Sequence, residues 1–406
     1  MRLHTINVGC KVNRVETDQA AALLLSRGFA ETPLDQASVV LVNTCTVTGE
    51  ADKKTRKAVR HALRENQAAE VIVTGCAAAL MPEVYACMDP RVQVVPKAEL
   101  LAFLQDRYQA PAHAQPAVRF QEGFRTRVGV KVQDGCNNAC TYCIVHVARG
   151  PARSVPVEAV EREVVQLAGA GAKEIVLTGI NLGTYSSEHD GCTWDLAALL
   201  QQLLRRTAEV PSGPSPRFRI SSIEPCDIDD RLVDVMVAAD GRVCRHLHLP
   251  LQSGSSKVLH EMARPYTAED YANLVERLRA ALPQLALSTD IIAGFPGETE
   301  ADFAETLQLA RACRFMKIHA FPYSQRTGTP AAERADQVPA AVKQHRAGQL
   351  RMLSEELRVA DLSLRAGTTE LALVEPGGVA TAESYHVVEV SDDFAAGALI
   401  PVTMGL

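Results

Sequence analysis

The chain of 406 residues is 47% hydrophobic and 22% charged, with a net charge of −6. This composition indicates a globular protein, and the length allows roughly two to four domains. No run approaches the roughly 18 apolar residues of a membrane span, and residues 1–13 lack the apolar segment of a signal peptide, so we expect a cytoplasmic protein. Eleven cysteines, an odd number, argue against a disulfide framework and favour metal or redox use.

Residues 1–106 alternate short apolar, β-branched runs with helical stretches, which predicts βαβ units and a parallel sheet. The runs are RLHTINV, ASVVLVN, EVIVT and RVQVV, and Cys10, Cys45 and Cys76 follow the first three. Ligands bind outside the carboxyl ends of the strands in such a sheet. We therefore expect the three thiols to converge and hold an iron–sulfur cluster; the alternative is a coincidence of three loop cysteines.

A basic segment, residues 51–64, follows Cys45 and carries Lys53, Lys54 and Lys57 in its first half. On a helix, such a run is usually a solvated face, but its position near the Cys45 loop makes contact with phosphates an equal alternative. Residues 107–125, centred on PAHAQP, have no periodic pattern and predict a linker.

A second cysteine group, Cys136, Cys140 and Cys143, has the spacing C-x3-C-x2-C. Iron–sulfur clusters are held by cysteine thiolates, normally four for a [4Fe–4S] centre, so three would leave one iron open. Tyr142 would place a ring beside this cluster. Zinc is the alternative, but it prefers four closed ligands, and no fourth cysteine or suitably paired histidine follows.

Residues 126–331 contain six further strand candidates: TRVGVKV, EIVLTG, FRISSI, HLHL, LSTDIIAG and MKIHAF. Six βα units are too few for an eight-stranded barrel, so a partial barrel is expected, with its site at the carboxyl ends of the strands. Polar residues follow several of these runs. Asn181, Glu224 and Gln252 are the candidates for binding a cofactor there.

Residues 332–365 predict a connecting helix, and residues 366–406 predict several short strands in a small antiparallel barrel. This last segment has six acidic residues and no Lys or Arg. Residues 1–365 therefore hold 42 acids and 42 bases, so the overall charge neither supports nor excludes an RNA partner.

The C-x3-C-x2-C segment resembles the motif of the radical S-adenosylmethionine (SAM) superfamily, in which SAM chelates the open iron. Together, the six cysteines resemble those of the methylthiotransferases, a radical SAM family. This resemblance implies an N-terminal α/β domain with an auxiliary cluster (1–106), a linker (107–125), a radical SAM partial (βα)6 barrel (126–331), a connecting helix (332–365) and a TRAM-like β domain (366–406). It also implies two [4Fe–4S] clusters, SAM as cofactor and tRNA as partner.

Within the family, INVGCKVNRVETDQ and VNTCTVTGEADKKTRK are most similar to enzymes that modify N6-threonylcarbamoyladenosine at tRNA position 37. Enzymes acting on isopentenyladenosine-37 or on ribosomal protein S12 are the rivals within the family. The resemblance implies that a 5′-deoxyadenosyl radical takes the hydrogen at adenine C2, that the auxiliary cluster presents sulfur, and that a second SAM supplies the methyl group. No side chain need act as an acid or base, so we predict no catalytic residue.

The predicted RNA contacts are Lys53, Lys54, Lys57, Arg149 and Arg153. An electron donor and a sulfur source, both unidentified, are also expected, as is a monomeric state. A tail without Lys or Arg departs from the RNA-binding role of a TRAM domain, because it cannot neutralise phosphate. A different class of function, a non-catalytic RNA-binding protein with structural metal, remains an alternative.

Overall fold

A computed structural model describes residues 1–109, 126–211 and 215–405. These residues form two compact units: the first holds residues 1–109, 135–137 and 143–151, and the second holds the remainder. The predicted linker lies outside the described residues except for residues 107–109. No helix in the described ranges is both long and apolar enough to cross a membrane.

The first unit is a five-stranded sheet with helices on both faces. Its strands are β1 (Arg2–Asn7), β2 (Ala30–Glu31), β3 (Val39–Thr44), β4 (Glu70–Gly75) and β5 (Val92–Val94). Its helices are α1 (Lys11–Leu25), α2 (Gly49–Glu65), α3 (Cys76–Leu80), α4 (Pro82–Ala86), α5 (Leu100–Arg107) and α6 (Val145–Arg149). The strand order is β2-β1-β3-β4-β5 and each pair is parallel, which confirms the predicted fold class.

Alternation along β3 explains the two helical layers. Val39 and Leu41 face one core, where the buried residues of α1 and α5 pack, whereas Val40 and Val42 face the other, with Val59 of α2. Side chains of successive residues in a strand point to opposite faces, so a continuous apolar run predicts a strand buried on both sides.

The second unit contains six parallel strands in chain order. They belong to two three-stranded sheets, joined by isolated parallel bridges between Phe218 and Val243 and between Ser222 and His248. All six predicted runs are confirmed as strands: β6 (Arg127–Lys131), β9 (Glu174–Thr178), β12 (Arg217–Ile220), β13 (His246–His248), β14 (Ala286–Ala293) and β15 (Lys317–Pro322). Two short antiparallel pairs are inserted: β7 (Gln133–Asp134) with β8 (Arg153–Ser154), and β10 (Ser187–His189) with β11 (Cys192–Trp194).

Helices connect these strands. They are α7 (Val157–Gly169), α8 (Leu196–Ala208), α9 (Asp230–Ala238), α10 (Ser256–Glu261), α11 (Ala268–Ala281), α12 (Glu300–Ala312), α13 (Pro330–Glu333) and α14 (Ala340–Arg365). A four-stranded antiparallel sheet follows, in the order β18-β17-β16-β19. Its strands are β16 (Thr369–Glu375), β17 (Val379–Ala382), β18 (Val387–Glu389) and β19 (Leu399–Thr403).

The antiparallel sheet is attached to the amino-terminal ends of the parallel strands. Arg217, which begins β12, donates to the carbonyl of Leu371 (2.7 Å), and Arg219 donates to that of Glu383 (3.0 Å). Both guanidinium groups also bind Glu174, the fully buried first residue of β9. The tail therefore docks on the barrel strands, at the end opposite to the predicted cofactor site.

Candidate functional site

Cys10, Cys45 and Cys76 lie at the carboxyl ends of three parallel strands of the first unit. Cys10 precedes α1 as its N-cap, Cys45 follows β3 directly, and Cys76 is the first residue of α3 after β4. The strand order of this sheet is of the doubly wound type, in which ligands bind where the connections reverse direction, here between β1 and β3. Two of the three cysteines follow the strands that flank this point.

The electrostatics of the three thiols indicate that they are close together. Burial, the largest cause, and the charges of Cys10 and Cys76 together raise the pKa of Cys45 to about 11. Burial also raises the pKa of Cys76, whereas Arg149 lowers it. Buried thiols that repel one another as thiolates are stabilised by a cation or by metal, so the donor set fits an iron–sulfur cluster.

A buried polar network fixes the loops that carry these cysteines. Asn13 Nδ2 donates to Asn43 Oδ1 (2.7 Å) and to the carbonyl of Thr44 (3.0 Å), and the Cys10 thiol donates to Asn13 Oδ1 (3.2 Å). Gly75 precedes Cys76 with φ +96°, and a Cβ there would lie 2.4 Å from Asn43 Oδ1. The turn from β4 into α3 therefore requires glycine.

Arg149 has a different environment from the one predicted. Its side chain is 1% exposed, and it donates Nε–H to Cys76 Sγ (3.2 Å) and Nη1–H to Glu16 (3.0 Å). Arg149 was predicted to contact RNA, but its guanidinium is enclosed and its hydrogen bonds are directed to Cys76 and a carboxylate.

The C-x3-C-x2-C segment contributes residues to both units, with Cys136 and Cys143 in the first and Cys140 in the second. In the first unit, the Cys136 N–H donates to the carbonyl of Gly150 (3.2 Å). Val145 is the first residue of α6, and its N–H donates to Cys143 Sγ (3.4 Å). Gly135, at φ +73°, has no room for a Cβ, which would meet the Pro151 carbonyl oxygen at 2.0 Å.

In the second unit, Cys140 also accepts a hydrogen bond from an arginine. Arg264 Nη1 lies 3.2 Å from Cys140 Sγ, and the same guanidinium is paired with Glu224. Burial raises the pKa of Glu224, and the charge of Arg264 opposes that rise. Tyr142 packs against a buried apolar cluster that includes Met262 and Phe295.

The other predicted cofactor contacts lie at strand ends of the second unit. Asn181 is 4% exposed, and its amide oxygen has no hydrogen-bond partner among the described residues. A buried acceptor without a donor is costly, so this atom fits a polar ligand such as SAM. Gln252 is buried at φ +67° and joins β14 through the bond from its N–H to the Asp290 carbonyl (2.9 Å).

Glu16 and Arg264 were not among the predicted site residues, because their contacts at the cysteine sites involve residues far away in the chain. A further group, His248, Asp290 and His319, brings potential metal-ligand atoms within 4.8 Å of one another. Asp290 and His319 are partners in the β14–β15 register. The signal in the sequence was a potential metal ligand, His or Asp, in each of three successive strand candidates, HLHL, LSTDIIAG and MKIHAF.

Lys53, Lys54 and Lys57 are exposed on α2, whose buried residues include Val59 and Ala62. Arg153 is also exposed, with Nη2 3.9 Å from Asp134. These four predicted RNA contacts are therefore at the surface.

Two family models match the chain: the "Radical SAM superfamily" over residues 130–310 and the "Uncharacterized protein family UPF0004" over residues 2–96. The threonylcarbamoyladenosine tRNA methylthiotransferase MtaB of Bacillus subtilis is 40% identical over 377 residues, which cover 87% of this chain and 80% of that protein. The chain belongs to the radical SAM methylthiotransferase family. It is thus an enzyme of a family that uses SAM and iron–sulfur chemistry.

Other relatives carry two different names. MtaB of Thermotoga maritima is 36% identical and covers 88% of this chain and 81% of that protein. The tRNA-2-methylthio-N(6)-dimethylallyladenosine synthase of Carboxydothermus hydrogenoformans is 35% identical and covers 86% and 82%. Among solved structures, the radical SAM methyltransferase TsrM of Kitasatospora setae has a TM-score of 0.57 at 17% identity, covering 82% of this chain and 75% of that chain, which shows a shared fold.

Proposed function

We propose that this methylthiotransferase converts N6-threonylcarbamoyladenosine at position 37 of tRNA to its 2-methylthio derivative. The observation that carries the proposal is the name shared by three relatives at 40%, 36% and 35% identity, each a threonylcarbamoyladenosine tRNA methylthiotransferase. The first-cysteine loop, with Lys11 and Arg14 beside Cys10, is consistent with it, because a substrate that carries a carboxylate favours a cationic surrounding.

The second candidate is the isopentenyl (dimethylallyl) substrate. Relatives at 35% and 34% identity are named for that reaction. Sequence identity therefore favours the threonylcarbamoyl substrate over the isopentenyl substrate by only a few percentage points. Ribosomal protein S12 is a third substrate to be tested. Membership of an enzyme family argues against the alternative of a non-catalytic RNA-binding protein with structural metal.

The proposal includes two [4Fe–4S] clusters, an auxiliary one on Cys10, Cys45 and Cys76 and a second on Cys136, Cys140 and Cys143. When bound, these clusters and SAM supply the one-electron cleavage, sulfur insertion and methylation that the reaction requires. The side chains hold and orient these groups. Asn181, Glu224, Gln252 and Tyr142 are proposed to bind SAM, with Glu224 held in place by Arg264.

The remaining parts of the proposal concern partners and organisation. The tRNA would bind through Lys53, Lys54, Lys57 and Arg153, and an electron donor and a sulfur source would act with the enzyme as a monomer in the cytoplasm, where tRNA is modified. The domain limits 1–106, 126–331, 332–365 and 366–406 are also proposals. The described elements end close to these positions, at Arg107, Glu333 and Arg365.

A competition between substrates tests the function. Reduced enzyme and SAM are supplied with tRNA carrying the threonylcarbamoyl group, tRNA carrying the isopentenyl group, and ribosomal protein S12. Mass spectrometry of nucleosides and peptides should detect methylthiolation of the first substrate in preference to the others. Preference for either of the other two would overturn the assigned substrate and leave the reaction type unchanged.

A further inference from the structure

Arg149 is the last residue of α6 and makes three kinds of contact inside the first unit. Its Nε lies 3.2 Å from Cys76 Sγ, its Nη1 and Nη2 lie 3.0 and 3.3 Å from the Glu16 carboxylate, and its Nη2 lies 3.1 Å from Asn13 Oδ1. The side chains of Arg149 and Glu16 are only 1% and 10% exposed. The guanidinium is therefore held in one orientation by a carboxylate and an amide.

An ion pair with Glu16 alone would not require this geometry. The Nε–H is directed to sulfur rather than to a carboxylate, and Asn13 Oδ1 accepts from both Arg149 and the Cys10 thiol. Arg149 thus contacts one auxiliary cysteine directly and a second through one amide.

The position of Arg149 in the chain links it to the other cysteine group. Arg149 ends α6, and Val145, which begins this helix, donates its N–H to Cys143 Sγ. Gly150, which follows Arg149, accepts from the Cys136 N–H through its carbonyl. One short segment of the first unit therefore contacts Cys136, Cys143 and Cys76. A substitution of Arg149 is expected to affect Cys76 first, because the Arg149 side chain donates a hydrogen bond to Cys76 Sγ.

Hydrogen bonds to ligand sulfurs, together with charge and exposure, set the reduction potential of iron–sulfur clusters. A donor lowers the electron density on sulfur and favours the reduced cluster, whose negative charge is greater. We propose that Arg149 is a positioning residue of the auxiliary cluster, which orients Cys76 and Asn13 and raises the reduction potential of that cluster. This inference rests on the two-cluster part of the proposed function.

The first test measures the midpoint potential of the auxiliary cluster alone. In the full chain with Cys136, Cys140 and Cys143 replaced by Ala, about four irons should remain, and their potential is followed by electron paramagnetic resonance. Arg149→Gln should shift the midpoint to a more negative value, and Arg149→Lys, which keeps the charge, should give a value in between. The matched control is Arg91→Gln, because Arg91 lies in the same unit and pairs with Asp89 at 2.9 Å, but donates its other hydrogen bonds to the carbonyls of Asn66 and Leu63 rather than to a cysteine; its midpoint should be unchanged.

An unchanged midpoint in an Arg149→Gln protein that retains its iron would overturn the inference. Absence of iron from the background protein itself would instead overturn the two-cluster proposal, so the two failures are distinguishable.

The second test does not depend on the Gln variant folding. The reduced background protein, with Arg149 intact and with ¹⁵N-labelled arginine, should show a hyperfine coupling from one arginine nitrogen across the hydrogen bond to Cys76. The coupling should persist in Arg91→Gln and disappear in Arg149→Lys made with the same label. A spectrum without arginine coupling in the protein that retains Arg149 would show that no such bond reaches the cluster.

Discussion

Cys76 and Cys140 share a local arrangement although they belong to different cysteine groups. Each sulfur accepts a hydrogen bond of 3.2 Å from a buried arginine, Arg149 or Arg264, and each arginine is paired with a glutamate. Removing a thiolate from water is costly unless a nearby cation or a metal compensates. At the scale of single residues, the chain therefore supplies a fixed positive charge at one cysteine of each triplet.

The two cysteine groups should be separable by substitution. Replacing Cys10, Cys45 and Cys76 by Ala should remove about four irons and abolish methylthiolation, but leave SAM cleavage to 5′-deoxyadenosine intact. Replacing Cys136, Cys140 and Cys143 should remove the other irons and abolish cleavage. Iron and sulfide analysis with chromatography of the nucleosides measures both effects, and methylthiolation by the first variant would refute the division of roles.

Gly75 offers a test of the backbone next to Cys76. Gly75→Ala places a Cβ at φ +96°, 2.4 Å from Asn43 Oδ1 and 2.5 Å from the Thr44 carbonyl oxygen. Strain of this kind costs about 1–3 kcal/mol, and relief of the clash would move the loop that carries Cys45. We expect a lower free energy of unfolding and a loss of auxiliary iron.

The control is Gly191→Ala, at φ +74° with open space around it. It should show the strain without the loss of iron, so equal iron in the two variants would contradict the role of Gly75.

At the scale of elements, α2 combines a buried stripe with a basic outer face. Thr48 caps it by accepting from the Ala51 N–H (3.1 Å), and Thr55, Val59 and Ala62 are buried against the sheet. The outer positions Lys53, Lys54, Lys57, Arg60 and Arg64 are exposed. This separation follows from 3.6 residues per turn, and it leaves the cations accessible to phosphate.

Reversing Lys53, Lys54 and Lys57 to Glu should weaken tRNA binding and flatten its salt dependence. Each lost phosphate contact lowers the magnitude of the slope of log K against log salt by about 0.9 on duplex DNA and by about 0.7 on a single strand. The control reverses Arg205, Arg231 and Arg311, which are exposed on helices of the second unit and change the net charge equally. Binding titrations at several salt concentrations should give a smaller slope only for the α2 variant; the same slope in both would place the RNA elsewhere.

At the scale of the whole chain, half of the acidic residues of the tail are paired with arginines outside it. Glu370 pairs with Arg365 (3.0 Å), Glu375 with Arg127 (2.7 Å) and Glu383 with Arg245 (2.9 Å), so half of the six tail carboxylates neutralise arginines. The net charge of −6 therefore overstates the negative charge that this segment presents to a partner. The tail has no Lys or Arg of its own, and the arginines of these pairs come from outside it.

Glu174 should control the acid stability of the second unit. Burial raises its pKa, but the charges of Arg219 and Arg217 outweigh burial and lower the pKa to about 2. Because the folded pKa lies below the unfolded value, the stabilisation is present above about pH 4.5 and is lost as the pH falls towards 2. Glu174→Gln leaves two buried guanidinium groups without a carboxylate and should cost about 3–5 kcal/mol at pH 7.

Trp194, the one tryptophan of the chain, lies in the second unit, so its fluorescence during urea unfolding reports on that unit. The variant should be less stable at neutral pH and should lose less stability than the natural sequence between pH 5 and pH 3. Equal stability at pH 7 would show that Glu174 is dispensable.

Most strands were predictable because short apolar, β-branched runs between turn residues must be buried, and the convergence of Cys10, Cys45 and Cys76 was expected from parallel strand ends. The two-residue strand β2 carries no such pattern and was missed. The burial of Arg149 was not predictable, because a basic residue beside a cofactor motif has no local sign of burial. Arg264 is 124 residues from Cys140, and pairing over that distance is determined by packing rather than by local sequence.

The auxiliary cysteines are 35 and 31 residues apart and meet only across the assembled sheet, whereas Cys136, Cys140 and Cys143 lie within eight residues. Bringing distant loops together costs chain entropy, which the folded β1-β3-β4 core has already offset when metal arrives. In the proposed two-cluster enzyme, maturation consequently has a direction. The local triplet would collect iron on a nascent or partly folded chain, whereas the dispersed triplet would bind iron only after the N-terminal sheet has folded. Its iron occupancy should therefore fall first whenever that sheet is perturbed.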